Sequence, residues 1–309
     1  MSRTMKLAIF LGTRPEIIKL APLIELLNQK KKEFIIIHSG QHYDLNMSKI
    51  FFEELSLPSP DYNIAVGSDS HGEQTGKILI EFERILQEEL VDIAIAEGDT
   101  NTVLASGLAA SKLGISFAHI EAGLRSFDIT MPEELNRRLA ASCANIHFAP
   151  TKQAALNLLF EGISPTAIHV VGNTVVDAVQ RHQKLVSKKG YNIQRYSLDP
   201  QETFILMTLH RAENVDDKKR LENILSSIKE IKSKTLFLIH PRTQKRINEF
   251  ELMGKIKNTE NLIPLAPVGY FELLFLLQRA TLVLTDSGGL QEEAITLQIP
   301  CATLRTTTD

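Results

Sequence analysis

Acidic residues follow two short apolar segments in the first half of the chain. Asp99 lies just beyond the segment DIAIA, and Glu121 comes directly after SFAHI. A carboxyl group can remove or deliver a proton, and two carboxyl groups with separated pKa values can do both. Glu133, which follows Pro132, could join them, although Pro-Glu-Glu is also typical of a helix start. The pattern indicates acid–base chemistry, while solvation or helix capping explains any single carboxylate equally well.

The sharpest local motif is TDSGGLQEE, residues 285–293, in which an apolar segment gives way to two glycines and an apparent helix. The backbone N–H groups of Ser287, Gly288 and Gly289 at such a helix start suit a diphosphate. Glu293 could accept hydrogen bonds from ribose hydroxyls. A simple glycine turn is the alternative. His210, which precedes Arg211 at the end of another apolar segment, is a plausible phosphate-binding or acid–base residue.

Several chemistries have no fingerprint in this sequence. Neither G-x-G-x-x-G nor G-x-x-x-x-G-K-[ST] occurs, so a bound dinucleotide and P-loop chemistry are not predicted. Neither H-E-x-x-H nor C-x-x-C occurs, and we expect no metal and no cofactor. The 309 residues include 34 Lys plus Arg and 37 Asp plus Glu, with a formal net charge of −3. That balance gives no general electrostatic footprint for nucleic acid.

The same reasoning places the protein away from membranes and oxidising compartments. No segment offers about 18 uninterrupted apolar residues, which a membrane-spanning helix would need. The apolar segment near the N-terminus is too short for a signal peptide. Cys143 and Cys301 do not form a disulfide framework and read as reduced core thiols. The sequence therefore predicts a cytoplasmic protein with no membrane partner.

The elements that must position these residues alternate along the chain. Short apolar runs, typical of strands covered on both faces, are separated by longer helical patterns. Helices are expected over 15–28, where Pro22 should perturb the pattern, and over 73–90. This alternation predicts parallel, right-handed βαβ units. The predicted strands are 6–11, 34–37, 92–96, 116–120, 145–148, 168–171, 203–209, 235–239, 261–265, 281–285 and 301–304.

A polar stretch at 187–202, which contains Gly190 and Pro200, interrupts the alternation. We therefore expect an α/β protein with two Rossmann-like, doubly wound parallel-sheet domains facing a cleft. The N-terminal domain, 1–186, would carry the acid–base carboxylates, and the C-terminal domain, 203–309, would carry the predicted diphosphate site. Ligands of such sheets bind beyond the carboxyl ends of the strands, where the residues discussed above are found.

Nine stretches of this sequence resemble the UDP-N-acetylglucosamine 2-epimerases of the non-hydrolysing bacterial and archaeal type. They occur in family order from near the start of the chain to its end, and together they are highly specific. They are GTRPEIIKLAP (12–22), SGQHYD (39–44), EGDTNTVLA (97–105), HIEAGLRSFD (119–128), MPEELNRR (131–138), FAPT (148–151), VVGNTVVDA (170–178), TLHRAEN (208–214) and TDSGGLQEE (285–293).

The resemblance implies a GT-B-like fold and roles for matching residues. Asp99, Glu121 and Glu133 would form the acid–base set, and His210 would stabilise the leaving group or transfer a proton. UDP would be bound by Arg14, Lys19, Ser287, Gly288, Gly289 and Glu293. Gln41 and His42 match a stretch that in the family belongs to a regulatory site for a second molecule of UDP-N-acetylglucosamine (UDP-GlcNAc).

The resemblance also implies a homodimer that supplies activated sugars for polysaccharide synthesis. Family members continue beyond the residue that matches Asp309. The resemblance therefore implies that a C-terminal segment is missing here, one that carries a further diphosphate-binding arginine and covers the first domain. On this basis the 309-residue chain is expected to turn over poorly.

The chemistry of the sugar limits the number of possible mechanisms. The C2 proton of the sugar is not acidic, so epimerisation requires either transient oxidation by a nicotinamide or elimination and re-addition of UDP. The absent dinucleotide motif favours elimination, and the resemblance implies the same route through 2-acetamidoglucal, which interconverts UDP-GlcNAc and UDP-N-acetylmannosamine (UDP-ManNAc). A UDP-sugar glycosyltransferase of the same fold, a hydrolysing epimerase that releases ManNAc and UDP, and a silent nucleotide-sugar-binding protein are the alternatives.

Overall fold

The computed structural model describes residues 5–41, 51–67 and 69–305. They fall into two compact units, of which the first ends at Ala178 and the second begins at Val179. Each unit has its own parallel sheet with helices packed against it, which confirms the predicted fold class. Among the helices of these residues, none is long and apolar enough to cross a membrane.

Within the described part of the first unit, seven strands form one parallel sheet in the order β3-β2-β1-β4-β5-β6-β7. The order reverses direction between β1 and β4, which is the point where ligands bind in open α/β sheets. The strands are β1 (Lys6–Leu11), β2 (Glu33–His38), β3 (Tyr62–Asn63), β4 (Ile93–Glu97), β5 (Ser116–Ile120), β6 (Ile146–Ala149) and β7 (Ile168–Val170).

Helices cover the faces of this sheet, as the apolar composition of its strands requires. The apolar residues of β1 from Ala8 onward are buried, and Phe10 packs on Phe82 with ring centroids 4.4 Å apart. The helices are α1 (Arg14–Gln29), α2 (His71–Glu89), α3 (Asn101–Lys112), α4 (Pro132–Cys143), α5 (Lys152–Phe160) and α6 (Thr174–Val186), the last of which crosses the division between the units.

Over residues 179–305, five strands form the second parallel sheet in the order β10-β9-β8-β11-β12, which reverses between β8 and β11. The strands are β8 (Phe204–Leu209), β9 (Lys234–Ile239), β10 (Leu262–Leu265), β11 (Leu282–Thr285) and β12 (Cys301–Thr303). The helices are α7 (Ala212–Val215), α8 (Lys218–Ser227), α9 (Pro241–Glu249), α10 (Met253–Lys257), α11 (Tyr270–Arg279) and α12 (Gly288–Thr296).

The eleven predicted strands are confirmed to within two residues at each end, and so are the two helices predicted over 15–28 and 73–90. The two-residue strand β3 was not predicted, because Tyr62 and Asn63 form no apolar run. Helix α1 includes Pro22 without ending there, and its apolar stripe from Ile17 to Leu27 is buried as expected.

From Val179 onward, the chain between the two sheets belongs to the second unit. In the predicted linker 187–202, Ile193 and Tyr196 are buried, and the Tyr196 hydroxyl donates a hydrogen bond to Glu272. The limits 1–186 and 203–309 for the two domains remain a proposal.

Candidate functional site

In the first unit, the loops that follow β1 and β4 meet at the point where the strand order reverses. The turn after β1 begins with Gly12, and a Cβ atom there would lie 2.1 Å from Oγ of Ser39 and 2.5 Å from Oγ1 of Thr102. Only glycine fits this close approach. Glu16 accepts hydrogen bonds from the backbone N–H groups of Gly12 and Thr13, both at 2.7 Å. The start of α1 is thereby fixed against the end of β1.

Helix α1 places a lysine between two carboxyl groups that follow neighbouring strands. The Lys19 ammonium forms an ion pair with Glu121 and lies 3.3 Å from Oε1 of Glu97. Glu97 is the last residue of β4, and Glu121 comes directly after β5, so parallel pairing brings them together. All three side chains are largely shielded from water. One cation therefore faces two acids in a weakly solvated space.

The backbone of Glu121 is held in an unusual conformation. Its φ is +65°, in the left-handed region that non-glycine residues rarely adopt. Such a residue costs about 1–3 kcal/mol and persists only where its surroundings determine it. The neighbours on both sides are fixed, since Gly98 N–H donates to Ile120 O and Ala122 N–H donates to Phe148 O, each at 3.1 Å. In this conformation the Glu121 carboxylate pairs with Lys19.

The two acids of this cluster shift in opposite directions. Burial raises the pKa of Glu97 well above its ordinary value, and Glu121 adds to the increase while Lys19 opposes it. Burial also acts to raise the pKa of Glu121, but Lys19, the hydrogen bond from Glu97 and the charge of Arg137 outweigh it and lower the pKa. Burial and mutual repulsion therefore disfavour the state in which both acids are ionised.

Asp99, two residues after β4, is paired with an arginine from α4. The Oδ2 atom of Asp99 accepts hydrogen bonds from Nη2 of Arg137 at 2.6 Å and from Nε at 3.0 Å. Burial raises the pKa of Asp99; Arg137 opposes this, and the charges of Glu121 and Glu133 reinforce it. The acid is thus held next to a cation without being forced to remain ionised, which suits a group that exchanges protons.

A cavity of about 240 Å³ opens beside Asp99. Glu133, in the first turn of α4, lines it, as does His71 at the start of α2. The Nδ1 atom of His71 lies 3.2 Å from the amide nitrogen of Asn101. Glu134, by contrast, is buried and accepts a 2.9 Å hydrogen bond from the Ser126 N–H group, which is a structural role. Of the two adjacent glutamates, only Glu133 lines this cavity.

The other predicted residues of the first unit lie near the same strand ends. Arg14 is the first residue of α1, and its guanidinium stacks on Phe51 at 4.8 Å. Gln41, which also lines the cavity, accepts a 2.7 Å hydrogen bond from the Thr102 hydroxyl. His42 lies outside the described residues. Nothing in this geometry assigns a regulatory role to Gln41.

The second unit builds a different arrangement at its own reversal point, around a single buried aspartate. Asp286, which follows β11, accepts hydrogen bonds from the backbone N–H groups of His210 at 3.0 Å and Arg211 at 2.9 Å. The Asn214 amide donates at 2.9 Å, and Nδ1 of His210 lies 2.9 Å from Oδ1. Burial acts to raise the pKa of Asp286, but these donors outweigh it and lower the pKa to about 2. Asp286 is therefore a fixed anion that holds the His210 ring.

The predicted diphosphate-binding residues follow immediately. Ser287 is the N-cap of α12, and its hydroxyl faces the Leu290 N–H group at 3.5 Å. Gly288 and Gly289 form the first turn of that helix, and both are partly accessible. Glu293 is buried in the next turn. The expected strand–turn–helix geometry is present, while the ligand contacts of these residues stay a prediction.

A larger concavity of about 600 Å³ lies away from all of these residues. It is an open groove between β3, with the residues that follow it, and the side of α2 that carries Lys77 and Arg84. Over residues 5–41, 51–67 and 69–305, no group of three His, Cys, Asp or Glu side chains could hold a metal ion.

Sequence reasoning did not assign four polar residues that the structure places in these sites. They are Glu16, Glu97, Arg137 and Asp286. A signal existed for Arg137, since it lies four residues after Glu133 on a predicted helix and must share its face. Glu97 and Asp286 each end or follow a strand at a point where the sheet order reverses. The order of the strands, which the sequence does not state, is what makes those two positions special.

Comparison with known proteins gives consistent matches over nearly the whole chain. The model of a family described as UDP-N-acetylglucosamine 2-epimerase matches residues 25–309. A UDP-N-acetylglucosamine 2-epimerase of Methanocaldococcus jannaschii is 53% identical over 311 residues, covering 99% of this chain and 85% of the relative. One from Methanococcus maripaludis is 52% identical over 309 residues, with 98% and 84% covered.

Solved structures are equally similar. A crystal structure of the M. jannaschii UDP-GlcNAc 2-epimerase in complex with UDP-GlcNAc and UDP superposes with a TM-score of 0.90. The sequences are 53% identical, and the match covers 98% of this chain and 85% of the other. The likeness thus extends over both sheets and over the segments that carry the described side-chain clusters.

Proposed function

Because the chain belongs to the UDP-N-acetylglucosamine 2-epimerase family, we propose that it interconverts UDP-GlcNAc and UDP-ManNAc by elimination and re-addition of UDP. It is an isomerase-type enzyme, as its relatives' names state. In the forward direction the C2–H and C1–O bonds break, and 2-acetamidoglucal and UDP form. Re-addition then delivers a proton to the opposite face of C2 and restores the C1–O bond.

The observation that carries this proposal is the carboxyl cluster at the ends of β4 and β5. Epimerisation by this route needs one group that accepts the C2 proton and another that supplies a proton to the other face. Glu121 has a lowered pKa, whereas Asp99 and Glu97 have raised values. Neighbouring acids whose environments separate their pKa values are suited to those two roles.

Asp99, Glu121 and Glu133 form the proposed acid–base set, and Lys19 and Arg14 are proposed to contact the substrate beside them. Asp99 and Glu133 line the same cavity, and Glu121 is held by Lys19. Arg137, which lies in α4, keeps Asp99 in place by donating a hydrogen bond to its Oδ2 atom. The ammonium and guanidinium groups would stabilise negative charge that develops as UDP departs.

In the second unit, we propose that UDP is bound by Ser287, Gly288, Gly289 and Glu293, and that His210 stabilises the leaving group. The N-terminus of α12 offers N–H donors and a positive dipole end for a diphosphate. The buried Asp286 holds the His210 ring through Nδ1. Both features support UDP as the group that this unit binds.

We propose a cytoplasmic setting for this protein. Cys143 and Cys301 are both described and both free thiols, which fits a reducing cytoplasm. A homodimer and regulation through Gln41 and His42 follow only from the family resemblance. Sedimentation velocity measures the first, and the dependence of initial rate on UDP-GlcNAc concentration measures the second.

The test is proton NMR of UDP-GlcNAc incubated with the chain in D2O, without added nicotinamide or acceptor. We expect UDP-ManNAc with deuterium at C2, because the abstracted proton exchanges with solvent. Product that retains hydrogen at C2 would exclude this elimination. Free ManNAc and UDP would indicate a hydrolysing enzyme, and conversion only in the presence of an acceptor would indicate a glycosyltransferase.

A further inference from the structure

The residue that the proposed reaction leaves unused is Glu97. Its side chain is only 2% exposed, yet it ends β4 next to a proposed catalytic acid. A buried carboxyl group is expensive unless it is paired or neutral. Glu97 shares its single cation, Lys19, with Glu121, which lies closer to that cation. The pairing therefore leaves Glu97 without a full counter-charge.

The charged groups around Glu97 and Glu121 determine whether both carboxyl groups can be ionised at once. Lys19 and Glu16 face Glu97 from α1, Glu121 faces it from the residue after β5, and Arg137 acts on Glu121. Glu16 already accepts three hydrogen bonds from Gly12, Thr13 and Thr100 and adds no positive charge. Two acids that approach each other in a weakly solvated space cannot both ionise against one ammonium group.

From this geometry we infer that Glu97 is a positioning residue for the reaction: its protonated carboxyl group donates a hydrogen bond to Glu121 and fixes the orientation and ionisation of that carboxylate. The inference rests on the proposed function, in which Glu121 exchanges a proton with C2. Glu97 itself lines no part of the cavity beside Asp99. Its effect on the reaction passes through Glu121.

The backbone conformation of Glu121 explains why a hydrogen bond that restrains its carboxylate would be useful. With φ at +65°, this residue occupies a sparsely populated backbone conformation that persists only where its surroundings determine it. Two flanking backbone hydrogen bonds hold the chain, and Lys19 holds one carboxylate oxygen, Oε2. A hydrogen bond from Glu97 restrains the carboxylate further. A preformed carboxylate needs no reorganisation when the substrate arrives.

The experiment compares the full 309-residue chain with Glu97→Gln and Glu97→Leu, and uses Glu83→Gln on the exposed face of α2 as the control. Carbon-13 NMR of chains labelled at the glutamate carboxyl carbon counts protonated carboxyl groups at pH 7. Steady-state kinetics with UDP-GlcNAc give kcat, KM and the pH profile. Circular dichroism monitors folding.

We expect a protonated glutamate signal that disappears in Glu97→Gln and persists in Glu83→Gln. Glu97→Gln should keep kcat within about threefold, because its amide N–H group can donate the same hydrogen bond. Glu97→Leu should lose about 10- to 100-fold in kcat with a much smaller change in KM. The pKa of Glu121 should rise in that variant, since the bond that favours its ionised form is gone.

Three results would overturn the inference. One is an ionised Glu97 at pH 7. Another is a Glu97→Leu variant with the kcat and pH profile of the unmodified chain. The third is a Glu97→Gln variant as impaired as Glu97→Leu, which would assign proton transfer to Glu97 itself. If Glu97→Leu does not fold, the NMR spectra and kinetics of Glu97→Gln still decide. Release of free ManNAc and UDP by the unmodified chain, or turnover only with an acceptor, would instead refute the proposed function, and the NMR count would still report on the carboxyl pair.

Discussion

Both units have acidic residues where the strand order of the sheet reverses, but their surroundings shift the pKa values of these acids in opposite directions. In the first unit, Glu97 and Asp99 follow β4 and have raised pKa values. In the second, Asp286 follows β11 and has a pKa of about 2. All three lie where the strand order reverses. The difference comes from the partners, since Glu97 faces other acids and Asp286 faces only donors.

This contrast separates the acids that we propose to react from the acid that holds neighbouring residues in place. An acid surrounded by N–H donors stays ionised at every physiological pH and can only hold its neighbours in place. An acid that is buried beside other acids has a raised pKa and can hold a proton that an ordinary carboxylate would release. We therefore expect substitutions in the first unit to change turnover, and substitutions around Asp286 to change stability first.

The largest effect is expected from removing ionisation at Glu121 or Asp99. The variants Glu121→Gln and Asp99→Asn nearly preserve shape, and each should lower kcat by about 10²–10⁴ with a smaller effect on UDP binding. Epimerisation rates and UDP calorimetry measure the two effects. Glu83→Gln, on the exposed face of α2, is the control. Near-normal kcat in both site variants would leave these acids with a purely structural role.

Asp286→Asn should destabilise the second unit by about 2–4 kcal/mol. The amide cannot accept all the hydrogen bonds from His210, Arg211 and Asn214, and buried donors left unpaired are costly. Urea denaturation monitored by circular dichroism measures the change. Asp199→Asn, at an exposed position of the same unit, should change the free energy of unfolding by less than about 0.5 kcal/mol. Equal stability of the two variants would contradict the scaffold role.

The two regions should also respond to pH in opposite directions. The ordinary pKa is 3.8 for Asp286, and its folded value is about 2, so its contribution of about 2 kcal/mol is present above pH 4 and is lost as pH falls toward 2. Glu97 has a raised pKa, so the folded state binds the extra proton and loses stability as pH rises above the ordinary value of 4.5.

Urea denaturation at a series of pH values checks both signs. The stability deficit of Asp286→Asn relative to the unmodified chain should shrink below pH 4. The relative stability of Glu97→Gln should increase as pH rises above 4.5. Identical pH dependence in the unmodified chain and both variants would show that these groups do not differ in ionisation.

A smaller effect is expected from substituting Arg137, the residue that pairs with Asp99 in the first unit. Arg137→Lys keeps the charge but cannot present two N–H groups to Oδ2 of Asp99, so kcat should fall about tenfold. Arg138→Lys is a matched control, because Arg138 is the next residue, pairs with Glu134 and is more exposed. Steady-state kinetics compare them. The proposed orientation of Asp99 is wrong if both variants retain full activity.

The smallest effect concerns Gln41. Replacing it with alanine removes the acceptor for the Thr102 hydroxyl, which retains Ser39 as a partner at 2.8 Å. We expect a loss of about 1 kcal/mol in unfolding free energy. Gln244→Ala, in a more exposed hydrogen bond with Asn248, should cost less. Loss of sigmoidal substrate dependence without loss of stability would favour the regulatory role instead.

The apolar runs of the sequence were sufficient to predict the fold class, since continuous runs separated by amphipathic helices have few arrangements other than parallel sheets. The positions of Asp99, Glu121 and His210 at strand ends followed from the same pattern. Strand β3 was missed because Tyr62 and Asn63 form no apolar run and pair with β2 through tertiary contacts rather than through propensity.

The sequence by itself determined the elements and the kinds of side chain at their ends. Only the tertiary structure decided which of those side chains are ionised, because a pKa depends on burial and on partners distant in the chain. Lys19 and Glu121 are 102 residues apart, and His210 and Asp286 are 76 apart. Strand order brings each pair together, and with it the charged partners on which the pKa of each acid depends.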